Sequence, residues 1–192
     1  AYINEEKGIT DVQSAIKGAM DIIAEEISDN AEYRKYIRNI TFDKGYVISE
    51  AKDKEAQSVY ETYYSFSEPV KKITGYRILA INRGEAEKIL TVKIEAPVDE
   101  ILDYLCRKVI NRDNKYTTEV LKETVADSYT RLIAPSIEND IRSELTENAE
   151  DGAIKVFGKN LTQLLMQPPI TGKRVLGWDP AFRTGCKLAV VD

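Results

Sequence analysis

Apolar residues recur at three- and four-residue steps through most of this chain, and only short stretches alternate. Val12, Ala15, Ile16, Ala19, Ile22, Ile23 and Ile27 line one wide face, so a first helix is expected from an N-cap at Thr10 to the break at Ser28-Asp29-Asn30. A second helix, about Ala31 to Asn39, carries Tyr33, Ile37 and Ile40 on one side, and Asp43-Lys44-Gly45 reads as a turn. Tyr46-Val47-Ile48 is a short strand candidate. Lys54 to Ser65 reads as a third helix with Tyr60, Tyr63 and Tyr64 on its face. Pro69 and Gly75 punctuate a linker that holds Lys71 and Lys72. Tyr76 to Arg83 fits a helix with Gly84 as its C-cap, with a strand as the alternative. Leu90 to Glu95 alternates as a strand does, and Pro97 ends it.

In the second half, Val98, Ile101, Leu102, Leu105 and Val109 make a clean helical stripe. Another helix opens at Thr118 and runs through Val120, Leu121, Val125, Tyr129, Leu132 and Ile133. Pro135 is expected to break or kink it, because proline lacks an N–H and its ring meets the carbonyl four residues back. Ile137, Ile141, Leu145, Ala149, Ala153 and Val156 then mark a narrow stripe on a long helix that Pro168-Pro169 ends. Val175 to Trp178 and Leu188 to Val191, joined through Pro180 and Gly185, read as a β-hairpin. The expected fold is mainly α: a multi-helix bundle around a long kinked helix, with a small β element and a truncated C-terminal β-hairpin. An isolated hairpin is marginal in water, and the chain opens on Ala1 without Met. The expectation is therefore a segment of a longer protein, whose hairpin leans on the helices or on another molecule.

Composition narrows the chemistry. With 192 residues and 43% apolar content, the chain can build a real core in one or two domains. A net charge of −5 leaves no generally basic face, so nucleic-acid binding needs a local patch or lies outside the segment. One such patch has four cations, Arg107, Lys108, Arg112 and Lys115, against Asp113, a local +3. It reads first as cations answering a negative helix end, with a phosphate site as the alternative. From Arg131 to Met166 four cations meet six acids, a local −2, which suits a spacer or a protein-docking surface. The absence of His excludes His triads and His-ligated metals. Two cysteines, Cys106 and Cys186, form neither a disulfide framework nor a zinc spacing, so a cytoplasmic home is expected. Cys186 falls in an expected strand and reads as an inert buried thiol. No run approaches the roughly 18 apolar residues of a membrane span. No phosphate-binding Gly loop or dinucleotide motif occurs, and no cofactor or metal is expected. Asp179, at the end of the first hairpin strand, is either a turn former or one ligand of a metal site.

Four segments carry a resemblance: ITGYRILAINRGEAEKIL (Ile73–Leu90), RLIAPSIENDIRSELTENAEDGAIKVFGKNL (Arg131–Leu161), LLMQPPITGKRVLGWDPAFRTGCK (Leu164–Lys187) and the closing GWDPAFRTGCKLAVVD. Together, and in this order, they resemble the Tex family of bacterial transcription accessory proteins that bind RNA. The resemblance implies a Tex-like helical region with a short β element over 1–170. It implies the first two strands of a truncated YqgF (RNase H-like) domain over 171–192. It also implies RNA or other nucleic acid as a partner, mainly through modules outside this segment, and transcription machinery as a further partner. Within the chain the candidate phosphate contacts are Lys71, Lys72, Arg77 and Arg83, with ion pairs to Glu85 and Glu87 as the alternative. Asp179 matches the family's first-strand Asp. Nucleases of this type hold two metal ions between several carboxylates, and one Asp cannot do so. No catalytic residue and no nuclease activity is therefore expected here, with Asp179 a relic. The alternatives are a parent nuclease that uses Asp179, and a purely protein-docking scaffold acting through acids such as Glu144 and Glu147.

Overall fold

The computed structural model describes residues 11–168, 170–183 and 185–192; the expected cap at Thr10 and the second proline of the helix stop, Pro169, lie outside them. Two compact units divide the chain, one up to Ala153 and one from Ile154.

The first unit begins with α1, Val12–Asp29. Its cap is Asp11, whose carboxylate accepts the Ser14 N–H at 2.7 Å while the Ser14 hydroxyl accepts the Asp11 N–H at 3.1 Å. This reciprocal pair satisfies two of the helix's orphan donors. Asn30, in extended conformation, both ends α1 and caps α2, Ala31–Lys44, by accepting the N–H groups of Glu32 and Tyr33. α2 runs past the expected stop at Asn39 because Ile40 and Thr41 continue its buried face. Asp43 and Lys44 are therefore helical, and Gly45 is the C-cap, its N–H bonded to the Thr41 carbonyl at 2.8 Å.

A three-stranded antiparallel sheet follows in the order β2–β1–β3, with β1 Tyr46–Ala51, β2 Ser65–Pro69 and β3 Leu90–Glu95. Leu90, Val92 and Ile94 point inward from β3, opposite Ala51, Ser49 and Val47. The helix expected over Lys54 to Ser65 does not form. Asp53 accepts the Glu55 N–H at 3.0 Å, and Ser58 accepts the Tyr60 N–H at 3.0 Å. These local bonds favour turns over helix. Only Glu61–Tyr63 coils, as one tight 3₁₀ turn, before Ser65–Pro69 pairs along β1. Tyr60 is buried and donates to Glu87 at 2.8 Å, which ties this connection to the end of the next helix.

That helix, α3, is Gly75–Ala86. Gly84 lies inside it, not at its cap: a Cβ there would stand 2.6 Å from Leu90 Cδ1. The left-handed residue of the helix stop is Lys88, φ 63°. Around it, the Ile89 N–H reaches the Gly84 carbonyl at 2.9 Å and the Lys88 N–H reaches Glu85 at 2.9 Å, a Schellman pattern. α4, Val98–Val109, buries Ile101 and Leu105 as its stripe requires.

α5, Thr118–Asp127, leads into a π-helical segment, Ser128–Ile133, and then into α6, Ala134–Leu165. Pro135 therefore does not break the rod. The Ala134 N–H bonds to Tyr129, five residues back. This wider turn makes room where the proline ring would otherwise meet the Arg131 carbonyl. The outcome is a continuous helix of 48 residues. Ile133, Ile137 and Ile141 enter the core with Ile37, Val47, Ile81, Leu90, Ile101, Leu105 and Val125. Two of the acids of α6, Glu138 and Glu144, reach partners on other elements. Glu138 accepts the free Ile94 N–H of edge strand β3 at 2.9 Å, which satisfies one donor of that edge. Glu144 pairs with Arg38 of α2. The small sheet and the long helix sit within a mainly α fold, as the hydrophobic pattern requires.

In the second unit, β4, Val175–Pro180, pairs antiparallel with β5, Cys186–Val191. Gly185 has φ +60°, and its carbonyl accepts the Ala181 N–H at 3.3 Å. Pro180 stands opposite Cys186 at the end of the ladder, and Cys186 is exposed, not buried.

Candidate nucleic-acid interface

Lys71 and Lys72 lie in the β2–α3 connection, a turn closed by the N–H groups of Lys72 and Ile73 on the Pro69 carbonyl, at 2.9 and 3.1 Å. Both are exposed. Lys71 pairs with Asp43 at 2.8 Å, and both side chains are more than half exposed, so the bond is weak and easily exchanged. Arg77 differs. Its guanidinium meets Glu68 at 2.6 Å, and its carbon lies 5.9 Å from the Phe66 ring centre and 5.6 Å from that of Tyr76. Glu68 sits opposite Val47 on β2 and is only 19% exposed. Its hydrogen bond holds the Arg77 guanidinium still more firmly protonated than usual.

Arg83 is exposed in the last turn of α3. It stands six residues after Arg77, and at about 100° per residue that places it roughly a third of a turn from the Arg77 face. The carboxylates weighed against these cations have other partners: Glu85 is paired with Arg142, and Glu87 accepts from Tyr60. Burial, then the Glu87 hydrogen bond, push the Tyr60 phenol up, while nearby Arg83 pulls it down. Thus Lys71 and Lys72 form an exposed pair, Arg77 is drawn onto the sheet, and Arg83 looks elsewhere. The four do not make one continuous face.

Between α3 and α6 lies an open groove of about 420 Å³, lined by Asn82, Glu85, Asn139, Arg142, Ser143, Thr146 and Glu147. Its polar groups already answer one another, Asn82 donating to Thr146 at 2.9 Å and Arg142 to Glu85. Asp179, on β4, is exposed opposite Lys187. Among the described residues no three Asp, Glu, Cys or His side chains gather closely enough to hold a metal. Among them, too, no helix is long and apolar enough to cross a membrane.

The fold defines a class: a helical scaffold whose long helix is hydrogen-bonded to the edge of a small antiparallel sheet. A family model described as Tex central region-like matches residues 1–157. The chain belongs to the Tex family, through that central region. It is 52% identical to YdcI of Bacillus subtilis, covering all of this chain and 27% of that protein. It is 33% identical to the human S1 RNA-binding domain-containing protein 1, covering all of this chain and 21% of that protein. It is 31% identical to the protein Tex of Bordetella pertussis, covering all of this chain and 26% of that protein. The chain thus spans about a quarter of the length of the curated relatives it matches.

Proposed function

We propose that this chain is the central helical scaffold of a cytoplasmic, RNA-binding transcription accessory protein, and that it positions nucleic-acid modules lying outside the segment. One observation carries the reading: similarity along the whole of this chain to part of the relatives named "transcriptional accessory protein Tex" in Neisseria gonorrhoeae and "S1 RNA-binding domain-containing protein 1" in Homo sapiens. The architecture supports it. A scaffold must transmit position, and a continuous helix anchored by Glu138 on the sheet edge and by Glu144 and Glu85 ion pairs is stiff. In this reading β4 and β5 are the opening strands of an RNase H-like domain, and Lys71, Lys72 and Arg83 add exposed phosphate contacts. Asp179 is a lone carboxylate with no catalytic role, so the chain by itself is not an enzyme.

The test is anisotropy titration of labelled RNA against the full-length parent and against this chain, at about 50 and 200 mM salt. The parent binds, and its affinity falls steeply with salt as condensed counterions are released. A parent that binds no RNA at low salt sinks the reading. Magnesium-dependent RNA cleavage that disappears in Asp179→Asn would overturn the role given to that carboxylate.

A further inference from the structure

Several exposed cations, Lys72 and Arg83 among them, meet no carboxylate among the described residues, and four that cluster between positions 107 and 115 mark a second place. Lys44, Lys71, Arg77, Lys122, Arg131 and Arg142 each meet a carboxylate. Among the described residues, Arg107, Lys108, Arg112 and Lys115 form no such pair. All four are exposed, at the end of α4 and in its connection to α5. The negative helix end accounts for Arg107 and Lys108, which stand in its last turn. It does not account for Arg112 and Lys115, three and six residues beyond Val109, because that field fades within a turn.

Aromatic rings accompany these charges. Tyr116 is 75% exposed, with the Lys115 ammonium 4.7 Å from its ring centre. Lys108 stands 5.8 Å from the ring centre of Tyr104, itself stacked on Tyr36 at 3.7 Å. The connection is also held in shape. The Thr118 hydroxyl donates to Asp113 at 2.7 Å and accepts the Asn114 N–H at 2.8 Å, and the Asn114 side chain accepts the Tyr116 N–H at 2.9 Å. Asp113, the one acid of the connection, is engaged in that network; Asp103 opposes the patch from one turn back on α4, and Glu119 is paired with Lys122.

We propose that the end of α4 and the α4–α5 connection dock single-stranded nucleic acid: Arg107, Lys108, Arg112 and Lys115 hold successive phosphates while one unpaired base stacks on Tyr116. Cations interleaved with exposed rings suit a strand whose bases are free to stack, more than a duplex or an acidic peptide. A connection already ordered by its own hydrogen bonds loses little freedom on binding. The proposal rests on the RNA-binding reading above and locates a contact within this chain.

The probe is a fluorescein-labelled 12-nucleotide oligouridylate, titrated against the 192-residue chain and its variants, with circular dichroism confirming their fold. Tyr116→Ala is expected to weaken binding about 5- to 150-fold, the range for loss of one base–aromatic stack. The double variant Arg112→Ala/Lys115→Ala is expected to flatten the slope of log affinity against log salt by about 1.4, two phosphates at roughly 0.7 each on a single strand. Lys71→Ala/Lys72→Ala removes the other exposed patch and is expected to weaken binding less than Arg112→Ala/Lys115→Ala. Loop variants within twofold of the unaltered chain, with Lys71→Ala/Lys72→Ala abolishing binding, overturn the loop site and leave the RNA-binding reading intact. A 12-residue polyglutamate that binds as tightly overturns it as well, by making the patch merely electrostatic. If the chain binds no oligonucleotide at low salt the loop site fails, and RNA binding by the full-length parent still upholds the broader reading.

Discussion

Alanine at Gly84 sets two opposed effects against each other. In a helix interior Gly→Ala ordinarily stabilises by about 1 kcal/mol, because glycine has more backbone freedom to lose. At Gly84 the added Cβ would stand 2.6 Å from Leu90 Cδ1, 2.9 Å from Leu90 Cγ and 3.2 Å from Tyr60 Cγ. Neither neighbour moves easily: Leu90 is fully buried, and Tyr60 is tied through its hydroxyl to Glu87. Forcing a methyl into such packing costs about 1–3 kcal/mol. The net expectation is a loss of about 1 kcal/mol. Gly18, inside α1 with nothing within 4 Å of its Cβ position, supplies the control, and Gly18→Ala should stabilise by about 0.5–1 kcal/mol. Urea unfolding of both variants reads the difference as a shift in midpoint. At a slope of about 2 kcal/mol/M, the midpoints should separate by about 0.5–1.5 M, with Gly84→Ala the lower. Equal stabilisation by the two alanines would refute the packing argument. Leu90→Ala combined with Gly84→Ala should cost less than the sum of the singles, because it vacates the contested space.

Other tests probe single groups. The Thr41 hydroxyl is buried without a hydrogen-bond partner among the described residues, beside a cavity of about 40 Å³ that Glu138 and Tyr129 help to line. Thr41→Val should therefore raise stability by about 1 kcal/mol in urea, and a loss would show that the hydroxyl is satisfied in solution. Lys88 sits at φ 63°, so Lys88→Gly should gain about 0.5–1 kcal/mol while Lys88→Ala gains nothing. Similar gains from both would remove backbone strain as the cause. The hydrogen bond from Arg131 holds the Asp127 carboxyl below its usual range. A lowered carboxylate stabilises the fold above its unfolded value of about 3.9, and that contribution is lost as pH falls through the lowered folded value. Asp127→Asn should cost a few tenths of a kcal/mol at pH 7, a gap that closes in thermal melts as pH falls below about 3.9. A gap that persists in acid would assign the loss to packing.

Local pattern carried much of this protein. The α4 stripe, the inward Leu90, Val92 and Ile94 of β3 and the terminal hairpin follow from side-chain period, which each short stretch sets for itself. The resemblance quoted in the four segments placed the chain in its family, and the family model agrees. What pattern could not supply was partnership. Ser65–Pro69 became a strand because β1 offered it a ladder, against a helical reading of the tyrosines before it. Gly84 reads as a helix stop until Leu90 and Tyr60 press against it. Pro135 reads as either a break or a kink, and only the π-helical segment that widens the turn before it shows that the helix runs on. The charges divide in the same way. Their signs are written in the sequence, but whether Glu85 meets Arg83 nearby or Arg142, 57 residues on, depends on where α3 and α6 pack. Period is a property of a few consecutive residues; the partner of a buried methyl, an edge N–H or a carboxylate is set by chain segments far apart, and only the assembled core brings them within reach.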